Sequence, residues 1–211
     1  YFLRSVSFSP DGNLIATADF RSIRLWDVAS GTLLRTIDGA FGGAVFSPDG
    51  RWLVNGGEVW DVNTGRKVRN FSGDGHFAMS LEEPERYRMK GEAWHYIATT
   101  RYNIVSVWNM DTGALVREFD AQGGVQSLAF VPGQFGLPEN YAAYALPVVL
   151  ATGMEDGTVK LWNARTGKLM NTLSGHEKKV TAILYSQTSW SSNSVGGVNE
   201  NLLTLDEGGT I

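Results

Sequence analysis

The chain has 211 residues, with 18 Lys and Arg against 22 Asp and Glu, a net charge of −4 and 43% hydrophobic residues. That balance excludes a disordered charged tail and a nucleic-acid grip built on phosphate contacts, and the absence of Cys excludes disulfides, thiolate zinc sites and cysteine nucleophiles. No apolar run approaches the roughly 18 residues of a membrane helix; the longest, Ala142–Ala151, contains Pro147, and Tyr1 opens the chain without a signal-peptide pattern. Glycine is the anomaly: 25 of 211 residues is about 12%, against ~7% in average proteins, alongside 7 Trp. Many tight turns and many large anchors point to short strands in a repeat.

In chain order, SVSFSPDGNLIATAD (Ser5–Asp19) reads as strand, Pro-Asp-Gly turn, strand, from its alternation and turn chemistry. LWDVASGTLLRTI (Leu25–Ile37) follows as strand, glycine turn and returning strand. The same pair recurs as GAVFSPDGRWLVNGG (Gly43–Gly57) with VWDVNTGRKVRNF (Val59–Phe71), where Asn55-Gly56-Gly57-Glu58 reads as a shortened glycine turn. VWNMDTGALVREF (Val107–Phe119) and LWNARTGKLMNTL (Leu161–Leu173) repeat the second half, and VQSLAF/VVLATG and VTAILY/LLTLD are looser copies of the first. In all four Trp segments Gly follows Trp by five residues (Trp26/Gly31, Trp60/Gly65, Trp108/Gly113, Trp162/Gly167), and apolar residues recur at eight and eleven. Each unit therefore holds four strands in up-and-down order, with no helical periodicity of useful length. The fold class is all-β: four-stranded antiparallel blades of a β-propeller, at approximately residues 1–38, 39–72, 73–120 and 121–174, with 175–211 an incomplete fifth.

These residues resemble the WD-repeat family. Trp26-Asp27 and Trp60-Asp61 carry its dipeptide, Trp108-Asn109 and Trp162-Asn163 vary it, and Gly175-His176 and a shifted Gly75-His76 match its glycine-histidine element. The resemblance covers nearly the whole chain. It implies a hydrogen-bonded set in each blade, formed by a His before the first strand, a Ser or Thr in the second, an Asp in the following turn and the third-strand Trp. On that pattern blade four offers Thr152, Asp156 and Trp162 but has Ala121-Gln122 in the His position. Blade five offers His176 and Thr204 with Gly208 at the Asp position, and blade one offers Thr17, Trp26 and an offset Asp19. The family also implies a seven-bladed ring. The 211 residues, about four and a half blades and eighteen strands, are therefore expected to be a fragment of one, with the third strand of blade five starting at Ile211.

Constant spacing belongs to the scaffold, so function is expected where the copies diverge. Three consecutive blades carry insertions between their first two strands: Glu82–Trp94, Pro132–Leu146 and Gln187–Asn201. As equivalent loops they are expected on one face, opposite the His-bearing loops, with Tyr87, Trp94, Phe135, Tyr141, Tyr144 and Trp190 as candidate partner contacts, since aromatic residues are enriched at interface hot spots. The alternative is ordinary variable loops.

The catalytic inventory is thin. His176-Glu177-Lys178-Lys179-Val180 begins like a zinc-protease HExxH but ends in Val and lies in a loop; no GxSxG, GxxxxGK or acidic calcium loop occurs. Glu82, Glu83 and Glu85 sit in a polar insertion, and Lys178-Lys179 are too few charges for nucleic acid. Quinone-dependent propeller enzymes share hairpins such as DVNTGRKV, but there a Trp follows the Thr-Gly element; here Arg35, Arg69, Arg117 and Asn171 stand after it and Trp precedes it. The expectation is a non-catalytic, cofactor-free and metal-free scaffold for other proteins or peptides, with no nucleic acid and no membrane, cytoplasmic and monomeric within a longer chain. The alternative reading is a regulatory or sensor propeller of a multidomain enzyme, a kinase or a nucleotide-binding signalling protein.

Overall fold

The computed structural model describes residues 3–39, 43–71, 73, 76–80, 95–131, 148–192 and 195–210, with 186–192 and 195–200 described as backbone only. The chain divides into two compact units, Tyr1–Gly75 and His76–Ile211. The first holds two antiparallel meanders: β1 (Ser5–Phe8), β2 (Leu14–Ala18), β3 (Ser22–Asp27) and β4 (Leu33–Asp38), then β5 (Ala44–Phe46), β6 (Trp52–Asn55), β7 (Glu58–Asp61) and β8 (Lys67–Asn70). The second holds β9 (Phe77–Met79), β10 (Tyr96–Arg101), β11 (Ile104–Asn109) and β12 (Leu115–Asp120), then β13 (Val125–Val131), β14 (Val149–Met154), β15 (Val159–Asn163) and β16 (Lys168–Leu173). A two-stranded sheet of β17 (Val180–Ser192) and β18 (Val195–Asp206) completes it. These are the blades expected from the repeat: four sheets of four strands and a fifth of two.

Turn chemistry explains the regularity. After β1, Leu14 N donates to Ser9 Oγ at 2.9 Å, Ser9 Oγ bonds Asp11, and Gly12 takes φ 74°. After β5, Trp52 N donates to Ser47 Oγ at 2.9 Å, Ser47 Oγ bonds Asp49, and Gly50 takes φ 70°. In the turn after each third strand, the residue following Trp caps the chain three residues on: Ser30 N donates to Asp27 at 2.8 Å, Thr64 N to Asp61 at 2.7 Å, Thr112 N to Asn109 Oδ1 at 2.9 Å and Thr166 N to Asn163 Oδ1 at 3.1 Å. Only an acceptor oxygen is needed there, so Trp-Asn serves as well as Trp-Asp. Each third strand also bulges at its Trp, where the pairing with the fourth strand slips by one residue. Asn55 pairs with Glu58 across Gly56 and Gly57, both at positive φ, which is the tight turn expected in blade two.

Neighbouring blades within each unit join by an indole and an arginine. Trp60 shares a buried cluster with Ile23, Ile37 and Leu53, and Trp162 shares one with Val105, Leu150 and the packed ring of Phe119, whose centroid is 4.9 Å away. Arg35 of β4 donates to the carbonyls of Asn63 and Thr64 in the next blade's turn, at 2.7 and 3.0 Å, and Arg117 of β12 donates to that of Arg165 at 3.2 Å. Both arginines stand nine residues after a Trp. On β1 the half-buried side chains are Ser5 and Ser7, which accept from Ala44 N and Phe46 N, while Val6 and Phe8 point to solvent.

Two expectations follow. Trp162→Ala lowers unfolding stability by about 3–5 kcal/mol, the cost of truncating a buried large aromatic, measured by urea denaturation. Asn163→Asp keeps stability within about 0.5 kcal/mol, whereas Asn163→Leu, which cannot accept the Thr166 hydrogen bond, loses about 1 kcal/mol.

Candidate functional site

Third-strand indoles organise the polar chemistry between blades. Trp26 Nε1 donates to Thr17 Oγ1 at 2.9 Å, Trp108 Nε1 to Thr99 Oγ1 at 3.1 Å and Trp162 Nε1 to Thr152 Oγ1 at 3.0 Å. Each Thr lies on the second strand two residues after the partner of its Trp in the ladder: Ile15, Ile97 and Leu150 face Trp26, Trp108 and Trp162. In blade two that position is Asn55, and among the described residues Trp60 Nε1 has no hydrogen-bond partner; Lys67 Nζ instead sits 5.4 Å from the ring centroid of Trp60.

Blade five carries the most developed polar set. His176 Nε2 lies 2.7 Å from Thr204 Oγ1, and its Nδ1 lies 3.3 Å from Asp206 Oδ2. Asp206 also accepts from the backbone of Gly208 and Thr210, at 2.8 and 2.9 Å; the N–H of Thr210 is the main cause holding its carboxyl below the ordinary range, with smaller help from Gly208 and His176. The acid is therefore Asp206, two residues after Thr204, and the Gly208 assignment is corrected. A strand residue pointing to the same face as Thr204 reaches the imidazole, whereas one four residues on has already entered the turn. Blade one obeys the same rule. Asp19 stands two after Thr17 and binds the backbone N–H groups of Arg21 and Ser22 and the Arg24 guanidinium, at 2.8 to 2.9 Å. Those contacts, the Arg21 N–H foremost, lower its carboxyl from 3.8 to about 2.

Blade four departs from this scheme. Met154 occupies the position of Asp206, and Asp156 accepts from Thr158 N and Oγ1 within its own turn, at 2.9 and 2.6 Å. In place of a His before the first strand, Lys160, buried on β15, sends its ammonium to the carbonyls of Ala121 and Gln122 at 2.9 and 3.3 Å. A cation satisfied by two backbone acceptors replaces the imidazole. Of the other histidines, His95 Nδ1 lies 3.0 Å from Asp111, and burial lowers the His76 imidazole while its backbone N–H donates to Thr100 Oγ1 at 2.9 Å.

Of the insertions, Glu82–Trp94 and Pro132–Leu146, with Tyr87, Trp94, Phe135, Tyr141 and Tyr144, lie outside the described residues. Gln187–Asn201 was expected as a loop. Its backbone instead extends the β17–β18 ladder from Ser186↔Asn201 to Ser192↔Val195, with Trp190, described by its backbone alone, opposite Gly197. The glycines and serines that read as loop signals occupy ladder positions, since antiparallel pairing is made by main-chain groups that every residue but proline carries in full. Among the described residues no group of three or more His, Asp or Glu is placed to hold a metal ion, and no helix is long and apolar enough to cross a membrane.

The repeat, its bulged Trp strands and its Trp–Thr bonds agree with the comparison to known proteins: residues 2–27 and 113–163 match the pattern described as WD domain, G-beta repeat. Those stretches are WD repeats. Among similar proteins are Autophagy-related protein 16 of Arabidopsis thaliana, 22% identical over 83% of this chain and 33% of the relative, and Nuclear distribution protein nudF of Aspergillus niger, 28% identical over 83% and 32%. A third is the CCR4-associated factor 4 homolog of Candida glabrata, 26% identical over 82% and 33%. This WD-repeat chain spans about a third of the length of the curated relatives it matches. WD-repeat domains are commonly protein-interaction scaffolds and typically non-catalytic.

The lowered carboxyl of Asp19 sets a pH signature. Its folded pKa of about 2 lies below the ordinary 3.8, so its stabilisation is complete above the unfolded value and is lost as pH falls towards 2. Asp19→Asn is expected to be less stable than the parent at pH 6, with the gap in urea midpoint closing between pH 4 and 2.

Proposed function

We propose that this WD-repeat segment is a non-catalytic platform that presents loops from successive blades to partner proteins or peptides. The observation that carries the reading is the contrast between constant and variable parts. Turns and bulges repeat from blade to blade and the Trp–Thr bond recurs in three of them, while the insertions all leave from one end of the first hairpin. In blade four that end is the Val131↔Val149 pair and in blade five the Ser186↔Asn201 pair, each opposite the pair that starts the first strand, Val125↔Met154 and Val180↔Asp206. Residues carried by a rigid sheet bind with little ordering cost, which is the physical advantage of such a platform. Tyr87, Trp94, Phe135, Tyr141, Tyr144 and Trp190 are the side chains proposed to make the contacts.

Shortening all three insertions to Pro-Asp-Gly turns tests the proposal. Partner proteins captured by the immobilised chain are expected to fall at least tenfold in quantitative mass spectrometry, with the circular dichroism spectrum and melting temperature retained. Equal recovery by the shortened chain rejects the insertions as the contact surface.

A further inference from the structure

The turn from the second strand to the third can be compared blade by blade. Where its backbone enters the left-handed region, three blades use glycine: Gly56 and Gly57 in blade two, Gly157 in blade four and Gly209 in blade five, at φ 56° to 92°. Blade three has Tyr102 instead, at φ 57°, in the first central position of the two-residue turn closed by the Arg101↔Ile104 pair. A side chain as bulky as tyrosine is rare at positive φ, and strain held in a folded chain points to use. Packing does not explain it, since Tyr102 is 81% exposed. The only other non-glycine residue at positive φ among the described residues is Gln122, at 59°. It lies in the adjoining β12–β13 loop, which is tied to this turn where Ala121 N donates to Asn103 O at 2.8 Å.

Blade one shows what a ring at this position accepts. Phe20 follows Thr17 by three residues as Tyr102 follows Thr99, and the guanidinium of Arg4 lies over it, 3.9 Å from the ring centroid. Arg4 precedes Ser5, the partner of Ala18, and in blade three the partner of Thr100 is His76. The residue in the place of Arg4 is therefore Gly75, which has no side chain to lay over Tyr102. The charge beside the ring has the fitting sign. Val125 N approaches Tyr102 O at 3.5 Å, and the preceding Gly124 accepts from Glu155 N at 2.9 Å. The Glu155 carboxylate lies against Gly124, where a Cβ would fall 2.7 Å from its Oε2. Glu155 is exposed, and among the described residues its carboxylate enters no ion pair. Asp120 and Asp156 are already engaged, the first by Asn103 and the Gln122 N–H, the second by Thr158. Arg101, two residues after Thr99, lies on that residue's face of β10.

From this we infer a binding site for an arginine side chain of a partner protein, whose guanidinium lies over the Tyr102 ring as Arg4 lies over Phe20 and pairs with the Glu155 carboxylate. A guanidinium is planar, so it stacks on an aromatic face while its edge donates to an acid, which a compact, strongly hydrated ammonium does less well. The strained turn holds the ring out from the sheet, so little ordering is left to do on binding. The inference rests on the chain acting as a protein-binding platform, but it uses the end of the blades opposite the insertions.

The probe is a capped peptide pool of the form X-X-Arg-X-X, 13C-labelled in the arginine side chain and titrated with the full 211-residue chain. The arginine δ-CH2 signal is expected to move upfield and saturate as the ring covers it. A lysine pool is expected to bind at least fivefold more weakly, and a citrulline pool, which keeps the shape without the charge, not at all. Tyr102→Phe should keep the affinity within twofold, and Glu155→Gln should weaken it about fivefold. Tyr102→Gly should weaken it at least tenfold while raising the urea midpoint, because glycine relieves the turn. No shift at millimolar chain, equal binding of the citrulline pool or full binding by Tyr102→Gly overturns the inference. So does a lower urea midpoint for Tyr102→Gly, which would make the ring a structural part of the turn. N-acetyl-arginine amide binding as tightly as the pool assigns the site to a small guanidinium compound and overturns the partner-protein reading. The chain with shortened insertions should bind the pool unchanged, so failure here and failure of the loop platform are read separately.

Discussion

Everything in this molecule depends on burying an indole between two sheets without orphaning its N–H. An antiparallel sheet of four short strands has two faces and little core of its own, so it is stable only when a neighbour covers it. Tryptophan fills that gap with large apolar area but brings a donor that must be satisfied. Blades one, three and four meet the requirement with one threonine at one ladder position. The bulge at each Trp aims the ring, and the capped turn just after it returns the chain to the outer strand. The arginine nine residues on then fastens that strand to the next blade's turn in both pairs where the contact is described.

The blades differ in how they complete the set around that threonine, and the differences have physical content. Blade five uses an imidazole bridging hydroxyl and carboxylate. Blade four substitutes a buried ammonium held by two carbonyls, in a place where an imidazole would find Met154 instead of an acid. Blade one keeps the acid, Asp19, and spends it on its own turn and Arg24. Blade two, with its shortened glycine turn and Asn55, leaves its indole N–H without a hydrogen bond among the described residues. Such uneven completion fits a scaffold whose blades are alike in shape but unequal in rigidity.

Much of this was legible beforehand. Gly five residues after Trp, Pro-Asp-Gly between alternating runs and the returning apolar positions led directly to strands and turns, because each is a local rule of backbone conformation. The acid of the polar set was misplaced because counting along a turn does not reveal which face a side chain takes; setting Thr17-x-Asp19 beside Thr204-x-Asp206 would have found it. Lys160 and the arginine links carry no local signal, since their partners are carbonyls 28 to 48 residues away. The third insertion read as a loop because Ser, Gly and Asn are weak strand formers, yet a hairpin already started by Val180–Tyr185 can carry them along its ladder.

The sequence by itself determined the repeat, the all-β class, the strand order and the place of the four third-strand Trp, because period, turn residues and spacing act within a few residues of chain. Only the tertiary structure decided which side chains complete each blade, and that Asn caps the turn after the third strand as Asp does. Those outcomes depend on two sheets meeting face to face, and the contacts that result join residues whose separation along the chain conveys nothing about their distance in space.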